Sequence, residues 1–376
     1  MDDWGHPHGI PRVTAAEDIS EGVRLREQEK INTYRELVRK VQEQRSNHDR
    51  SKDALANTTK LLSKNPEFYT IWNIRREILQ SQFSSIISAS SDESAQCAEI
   101  QQLLTSDLAF LFPLLKKSPK CYWIWNHRVW LLEQTTKYLP LSTSLEIWKQ
   151  ELALVGKMLS LDNRNFHGWG YRRKVVAEIE RLMGLVKGEG EGEGVKASLA
   201  KEEFEYTTKM IGTNLSNFSA WHSRMRTIMR LLNEEKASDE KRREMLDKEL
   251  DLIHRALIDP YDQSLWFYHQ NLMCNFDTST ATTTSDSNQV IAPRLSTDEK
   301  ITYIENEIEE MTDMLDGAED CKWIYLALIE ARLMLARLQK SGINSEGKRD
   351  IQEWLMTVKK LDPLRKMRWE EMEQEN

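Results

Sequence analysis

The 376-residue sequence has no uninterrupted apolar run of about 18 residues, the length a membrane-spanning helix needs. Its opening residues, MDDWGHPHGIPRV, have neither the basic start nor the apolar core of a secretory leader, so the expected location is cytoplasmic. Cysteine is scarce: Cys97, Cys121, Cys274 and Cys321 lie far apart with no C-x-x-C spacing. That excludes a disulfide framework and a cysteine zinc site, and the four are read as buried thiols. Positive charge is in deficit, with 52 Lys and Arg against 60 Asp and Glu. A dominant phosphate-neutralising surface is thereby excluded, although a local basic patch stays open. No G-x-S-x-G, P-loop, H-E-x-x-H or paired Cys–His signature occurs. A scaffold, or one half of an enzyme, fits better than a self-contained catalyst. His6 and His8 form an H-x-H without further ligands in their segment, and no metal is assigned to this chain.

What the chain has in quantity is tryptophan, 12 residues, much of it in a repeat. NPEFYTIWNIRREIL (65–79), SPKCYWIWNHRVWLL (118–132), DNRNFHGWGYRRKVV (162–176), NLSNFSAWHSRMRTI (214–228) and DPYDQSLWFYHQNLM (259–273) share a frame. Each starts with Asn, Ser or Asp and reaches Trp72, Trp125, Trp169, Trp221 or Trp266 seven positions later. Four have an aromatic at position five (Tyr69, Tyr122, Phe166, Phe218) and an arginine at position eleven (Arg75, Arg128, Arg172, Arg224). The fifth copy has Gln263 and His269 there, and weaker copies follow at 318–332 and 362–376, with Tyr325 and Trp369 in the Trp place.

The pattern reads as a helix start. Position one caps the free N–H groups, and proline follows where its missing donor is harmless. The aromatic and the Trp, three apart, share one helix face, which is expected to pack inward. An amphipathic stretch precedes each copy, so each unit is expected to be a helical hairpin. The spacing between Trp positions runs from 44 residues (Trp125 to Trp169) to 59 (Trp266 to Tyr325). SASSDESA near 88–95, GEGEGEG at 188–194 and TSTATTTSDSN at 278–288 read as flexible loops, with insertions bounded at 186–198 and 276–298. Hairpins of this size stack to bury their apolar faces. The expected fold is all-α: a crescent-shaped alpha-alpha superhelix, tetratricopeptide-like, as one domain over 25–376 after an N-terminal extension, 1–24. An arginine beside a buried Trp needs a carboxylate, a carbonyl or an external anion. His127, His167 and His222, inside the motif, suit hydrogen bonding at helix interfaces better than catalysis.

The unit P-x-x-Y-x-x-W-x-x-R resembles the repeat of protein prenyltransferase alpha subunits, well over about residues 25–275 and weakly beyond. HGIPR at 8–12, the W-N-x-R-R-E run after Ile71, and the pair DNRNFHGWGYRR and DPYDQSLWFYH are similar to the type II, Rab-directed branch. The resemblance implies half of an enzyme, wrapped around a beta subunit that carries zinc and most of the lipid pocket. The implied reaction moves geranylgeranyl from geranylgeranyl diphosphate to C-terminal cysteines of a Rab GTPase presented by a Rab escort protein. It also implies diphosphate contacts from Lys120 and Tyr122. Arg164 stands where a second contact would be, followed by Phe166 in place of Tyr. Trp72, Arg75, His127, Trp169, Arg172, Trp221, His222, Arg224 and Trp266 are then expected at the partner interface. No segment resembles the immunoglobulin-like and leucine-rich domains of animal relatives, so the length resembles fungal forms. Two rivals remain: the alpha subunit shared by farnesyltransferase and type I geranylgeranyltransferase, which acts on CaaX tails, and a non-enzymatic tetratricopeptide-like scaffold.

Overall fold

The computed structural model describes residues 21–188, 198–277, 290–340 and 342–375. Every regular element among them is helical. After α1 (Glu21–Ser46), the helices pair as hairpins. The first four are α2 (Lys52–Lys64) with α3 (Tyr69–Ala89), α4 (Glu93–Lys117) with α5 (Tyr122–Tyr138), α6 (Leu141–Leu161) with α7 (Phe166–Gly188), and α8 (Ala200–Thr213) with α9 (Phe218–Glu234). Then come α10 (Asp239–Ala256) with α11 (Gln263–Met273), α12 (Thr297–Asp313) with α13 (Lys322–Gln339), and α14 (Ser345–Leu361) with α15 (Lys366–Glu375). The expected hairpins and the all-α class are therefore found. The described residues fall into two compact units, those within Met1–Val155 and Gly170–Glu191 and those within Gly156–Trp169 and Gly192–Asn376.

Amphipathic spacing explains the first helices of the hairpins. In α2 the buried Ala54, Thr58, Leu61 and Leu62 recur at i, i+4, i+7 and i+8 on one face. Ser51 caps that helix by accepting the Ala54 N–H. Ser296 and Glu299 close a reciprocal capping box on α12. In the second unit, Tyr325, Ile329, Ile351, Leu355, Val358 and Trp369 make one buried cluster.

The motif itself needs two corrections. Its first residue does not open a helix. Asn65 ends α2, donating its N–H to the Leu61 carbonyl, and α3 begins only at Tyr69. Position one instead shapes the hairpin turn, as when Asn65 and Asn214 accept the N–H of the residue two further on. The N-cap is position four: Asn165 accepts from His167 and Gly168, Asn217 from Ala220, and Asp262 from Ser264. SASSDESA is also not an inserted loop, because α3 runs to Ala89 and Asp92 already caps α4. His6, His8, HGIPR, all but Gly188 of GEGEGEG and all of TSTATTTSDSN lie outside the described residues. Of the bounded insertions, 186–188 still belong to α7, and 290–296 bury Ile291, Ala292 and Leu295 before α12 starts at Thr297.

The recurring Trp has a constant job. Each indole Nε1 donates to the carbonyl six residues back, in the hairpin turn: Trp72 to Pro66 at 2.8 Å, Trp125 to Pro119 at 2.8 Å, Trp169 to Asn163 at 2.9 Å, Trp221 to Leu215 at 2.8 Å and Trp266 to Pro260 at 2.6 Å. Tyr325 repeats the bond through its hydroxyl, to Glu319 at 2.9 Å. A ring that fills the core also satisfies a turn carbonyl, which accounts for the preference for an aromatic with a polar edge.

Candidate functional site: an outward face on a buried ionic frame

Position eleven lies inside the protein. Arg75 on α3 donates through Nε to Asp107 on α4 at 2.9 Å, and through Nη1 to Thr58 and Thr59 on α2. Arg128 on α5 grips both oxygens of Glu151 on α6. Arg224 on α9 grips both oxygens of Glu249 on α10, each at 2.7 Å. The carboxylate in these three cases comes from the first helix of the next hairpin. Position ten of that next hairpin then completes it: His127 on Asp107 at 2.9 Å, Tyr171 on Glu151 at 2.7 Å and Tyr268 on Glu249 at 2.6 Å. Each carboxylate thus joins successive hairpins.

Burial and charge set the protonation of this frame. Burial pushes the Asp107 carboxyl up, but the Arg75 charge and the His127 hydrogen bond outweigh it and hold it at about 2. Burial pushes His127 down to about 4. Burial and the adjoining carboxylates push the Tyr171 and Tyr268 hydroxyls well above the ordinary phenol range. At the first step Asp107 therefore stays ionised beside a neutral His127, and at the other two steps the Tyr171 and Tyr268 hydroxyls keep their protons.

This frame corrects the expected interface. Trp72, Arg75, His127, Trp169, Arg172, Trp221, Arg224 and Trp266 are all buried within the chain, so they have no surface to offer a partner. Only His222 of that group is exposed, lying parallel to Phe218 with ring centres 6.2 Å apart. Cys121 and Cys321 are buried as expected, each donating its thiol to a turn proline of the preceding hairpin, but Cys274 is exposed and Cys97 half-buried.

Position five, expected inward, points out: Tyr69, Tyr122, Phe166 and Phe218 are 48–67% exposed. Each is the first residue of its helix, where Cα–Cβ bonds tilt toward the N-terminus and carry the ring past the hairpin end. In the first unit Tyr69 and Tyr122 flank Trp123 with centroids 5.3 and 5.4 Å away. In the second, Phe218, Phe267 and Trp323 run in series at 5.7 and 6.2 Å. Exposed apolar patches of this kind mark association surfaces.

Lys120 lies in the hairpin turn two residues before Tyr122. It is exposed and makes no ion pair with any described residue. It precedes Cys121, the N-cap of α5, which makes no side-chain cap hydrogen bond. A helix N-terminus has partial positive charge, so lysine and helix together form a cationic spot beside the Tyr122 phenol. Arg164, likewise exposed and without an ion pair among the described residues, precedes the capped start of α7 next to Phe166. Phe166 has no hydroxyl to donate. Since half-exposed rings contribute little to folding, Tyr69→Ser and Phe218→Ser are expected to keep the melting temperature within about 2 °C. Both are expected to weaken association with a partner subunit, read by co-purification yield.

A repeat-bearing helical protein with buried frame and outward aromatic ends is the class these features define. The protein prenyltransferase alpha subunit repeat matches residues 51–82, 104–135, 148–179 and 200–231. The chain is 34% identical to the geranylgeranyl transferase type-2 subunit alpha of Saccharomyces cerevisiae, over 96% of this chain and 97% of that one. It is 35% identical to that of Schizosaccharomyces pombe over 98% of each. The Rattus norvegicus subunit is 34% identical, over 71% of this chain and 41% of its own length. A chain of the solved Candida albicans protein geranylgeranyltransferase-I complexed with GGPP has the same fold, with a TM-score of 0.57, 18% identity, and 91% and 90% of the two chains covered. The chain belongs to the protein prenyltransferase alpha subunit family, and these full-length relatives place it with the type-2 geranylgeranyl transferase alpha subunits.

Proposed function

We propose that this chain is the alpha half of a Rab geranylgeranyltransferase and presents its outward aromatic ends to a beta subunit. The reaction is transfer of geranylgeranyl from geranylgeranyl diphosphate to C-terminal cysteines of a Rab GTPase held by a Rab escort protein, in the cytoplasm. The observation that carries the reading is the division of the repeat: Trp and Arg are consumed inside the chain, while Tyr69, Tyr122 and Lys120 are left at its surface. The type-2 names of the relatives favour Rab substrates over CaaX tails.

In the transfer, a cysteine sulfur bonds to C1 of the isoprenoid as the C1–O bond breaks, and diphosphate leaves with the electron pair. Negative charge grows on the departing oxygen. The Lys120 ammonium and the α5 N-terminus oppose that charge, and the Tyr122 hydroxyl can donate to it. Arg164 is the candidate for a second cation. The zinc that favours cysteine thiolate is assigned to the beta subunit, and no residue of this chain is placed on it.

The test is transfer of labelled geranylgeranyl by this chain co-purified with candidate beta subunits, offered a Rab with escort protein or a CaaX peptide. Labelled Rab is the expected product. Labelled CaaX peptide instead would move the chain to the sibling enzymes, and failure to associate with any beta subunit would leave a scaffold.

A further inference from the structure

The step from α11 to α12 departs from the frame. Here position eleven is His269, not arginine, and its Nε2 lies 2.8 Å from Oε2 of Glu307 on α12. A second histidine joins the same carboxylate: His254 on α10 places its Nε2 3.0 Å from Oε1. Position ten of the next hairpin, which completes the carboxylate elsewhere, is Ala327 and supplies no polar group. His269 and Ala327 line a cavity of about 310 Å³, together with Trp266, Trp323 and Glu330. One donor atom from each of His254, His269 and Glu307 lies within 4.8 Å of the others.

We propose that His254, His269 and Glu307 are a binding site for one divalent transition-metal ion of the zinc class. A guanidinium cannot ligate a metal, so the arginine frame is closed to cations at its other steps. Replacing arginine with two imidazoles turns an ion pair into two nitrogen donors and a carboxylate. That is a set of three protein ligands that leaves a fourth position for water. The two histidines come from the α10–α11 hairpin and Glu307 from α12 of the next one, so packing within and between these two hairpins preorganises the set. Glu307 and His269 are buried, while the His254 side chain retains 21% exposure and gives the ion a way in. Asp251 and Glu310 act electrostatically on His254 and add negative potential at that entrance. On binding, the ion takes the Nε2 lone pairs, and the protons that bridge to Glu307 move to Nδ1 or to solvent. A metal bond of about 2.0–2.2 Å to each donor separates the donors somewhat more than the present hydrogen bonds do, an adjustment the partly exposed His254 can make.

The test uses the full-length chain, stripped with chelator and titrated with Co²⁺, whose visible absorption reports nitrogen and carboxylate coordination. One equivalent is expected to bind with intense visible bands, and added Zn²⁺ is expected to erase them and raise the melting temperature. His254→Gln, at the partly exposed corner, keeps the fold and is expected to weaken Co²⁺ binding at least tenfold, whereas Cys274→Ser leaves it unchanged. Absence of the bands at saturating Co²⁺, or equal binding by His254→Gln, would overturn the proposal and leave the cluster as a proton-bridged clamp between helices.

Discussion

Replacing Glu151 with alanine is expected to destabilise the chain by about 3–5 kcal/mol, far more than the loss of any exposed side chain. Glu151 is buried, accepts from Arg128 Nε and Nη2, whose Nη1 donates to the Leu108 carbonyl, and accepts from the buried Tyr171 hydroxyl. Its removal strands a guanidinium and a phenol away from water. The charge dominates, because an unpaired buried cation costs far more than a lost neutral hydrogen bond. Thermal unfolding of Glu151→Ala should show a melting temperature lower by many degrees. The double variant Arg128→Met/Glu151→Leu is expected to lose much less than the two single losses added, since it removes the charges together. Additive losses would mean that the pair acts through something other than mutual neutralisation.

Lys120→Ala is expected to lower turnover by about 100-fold in the complex while leaving stability and assembly unchanged. Lys120 is exposed and unpaired among the described residues, so its loss removes no internal ion pair. Surface substitutions of this type stay within about 0.5 kcal/mol of the parent. Lys120→Arg keeps the charge and should recover part of the rate. Single-turnover transfer with the purified complex separates the possibilities. Unchanged turnover would remove Lys120 from the diphosphate contacts, and loss of assembly would make it a docking residue.

The hairpins are legible in the sequence because the Trp staple demands constant geometry: an indole that reaches a turn carbonyl six residues back must sit at a fixed place in every copy. The direction of position five is not. Sharing a helix face with Trp suggests burial, but the first residue of a helix has no preceding turn to cover it, and Tyr69 and Phe166 extend into solvent. Asn, Asp and Pro serve both caps and turns, so position one reads as a cap although it shapes the connection. The acids that neutralise the arginines leave no motif, since Asp107, Glu151 and Glu249 follow their partners by 32, 23 and 25 residues. The His254, His269 and Glu307 cluster is hidden for the same reason: its members come from three helices, with Glu307 lying 53 and 38 residues beyond the two histidines.

In each of the first four motifs a buried part holds the hairpins together, and the outward part is the one we propose meets a beta subunit. Hydrogen–deuterium exchange of the full chain, alone and with its beta subunit, tests that division most directly. Binding is predicted to slow exchange in the hairpin turns and first turns of α3, α5, α7 and α9, around Tyr69, Tyr122, Phe166 and Phe218. Protection confined to other surfaces, with those helix starts exchanging as in the free chain, would contradict it.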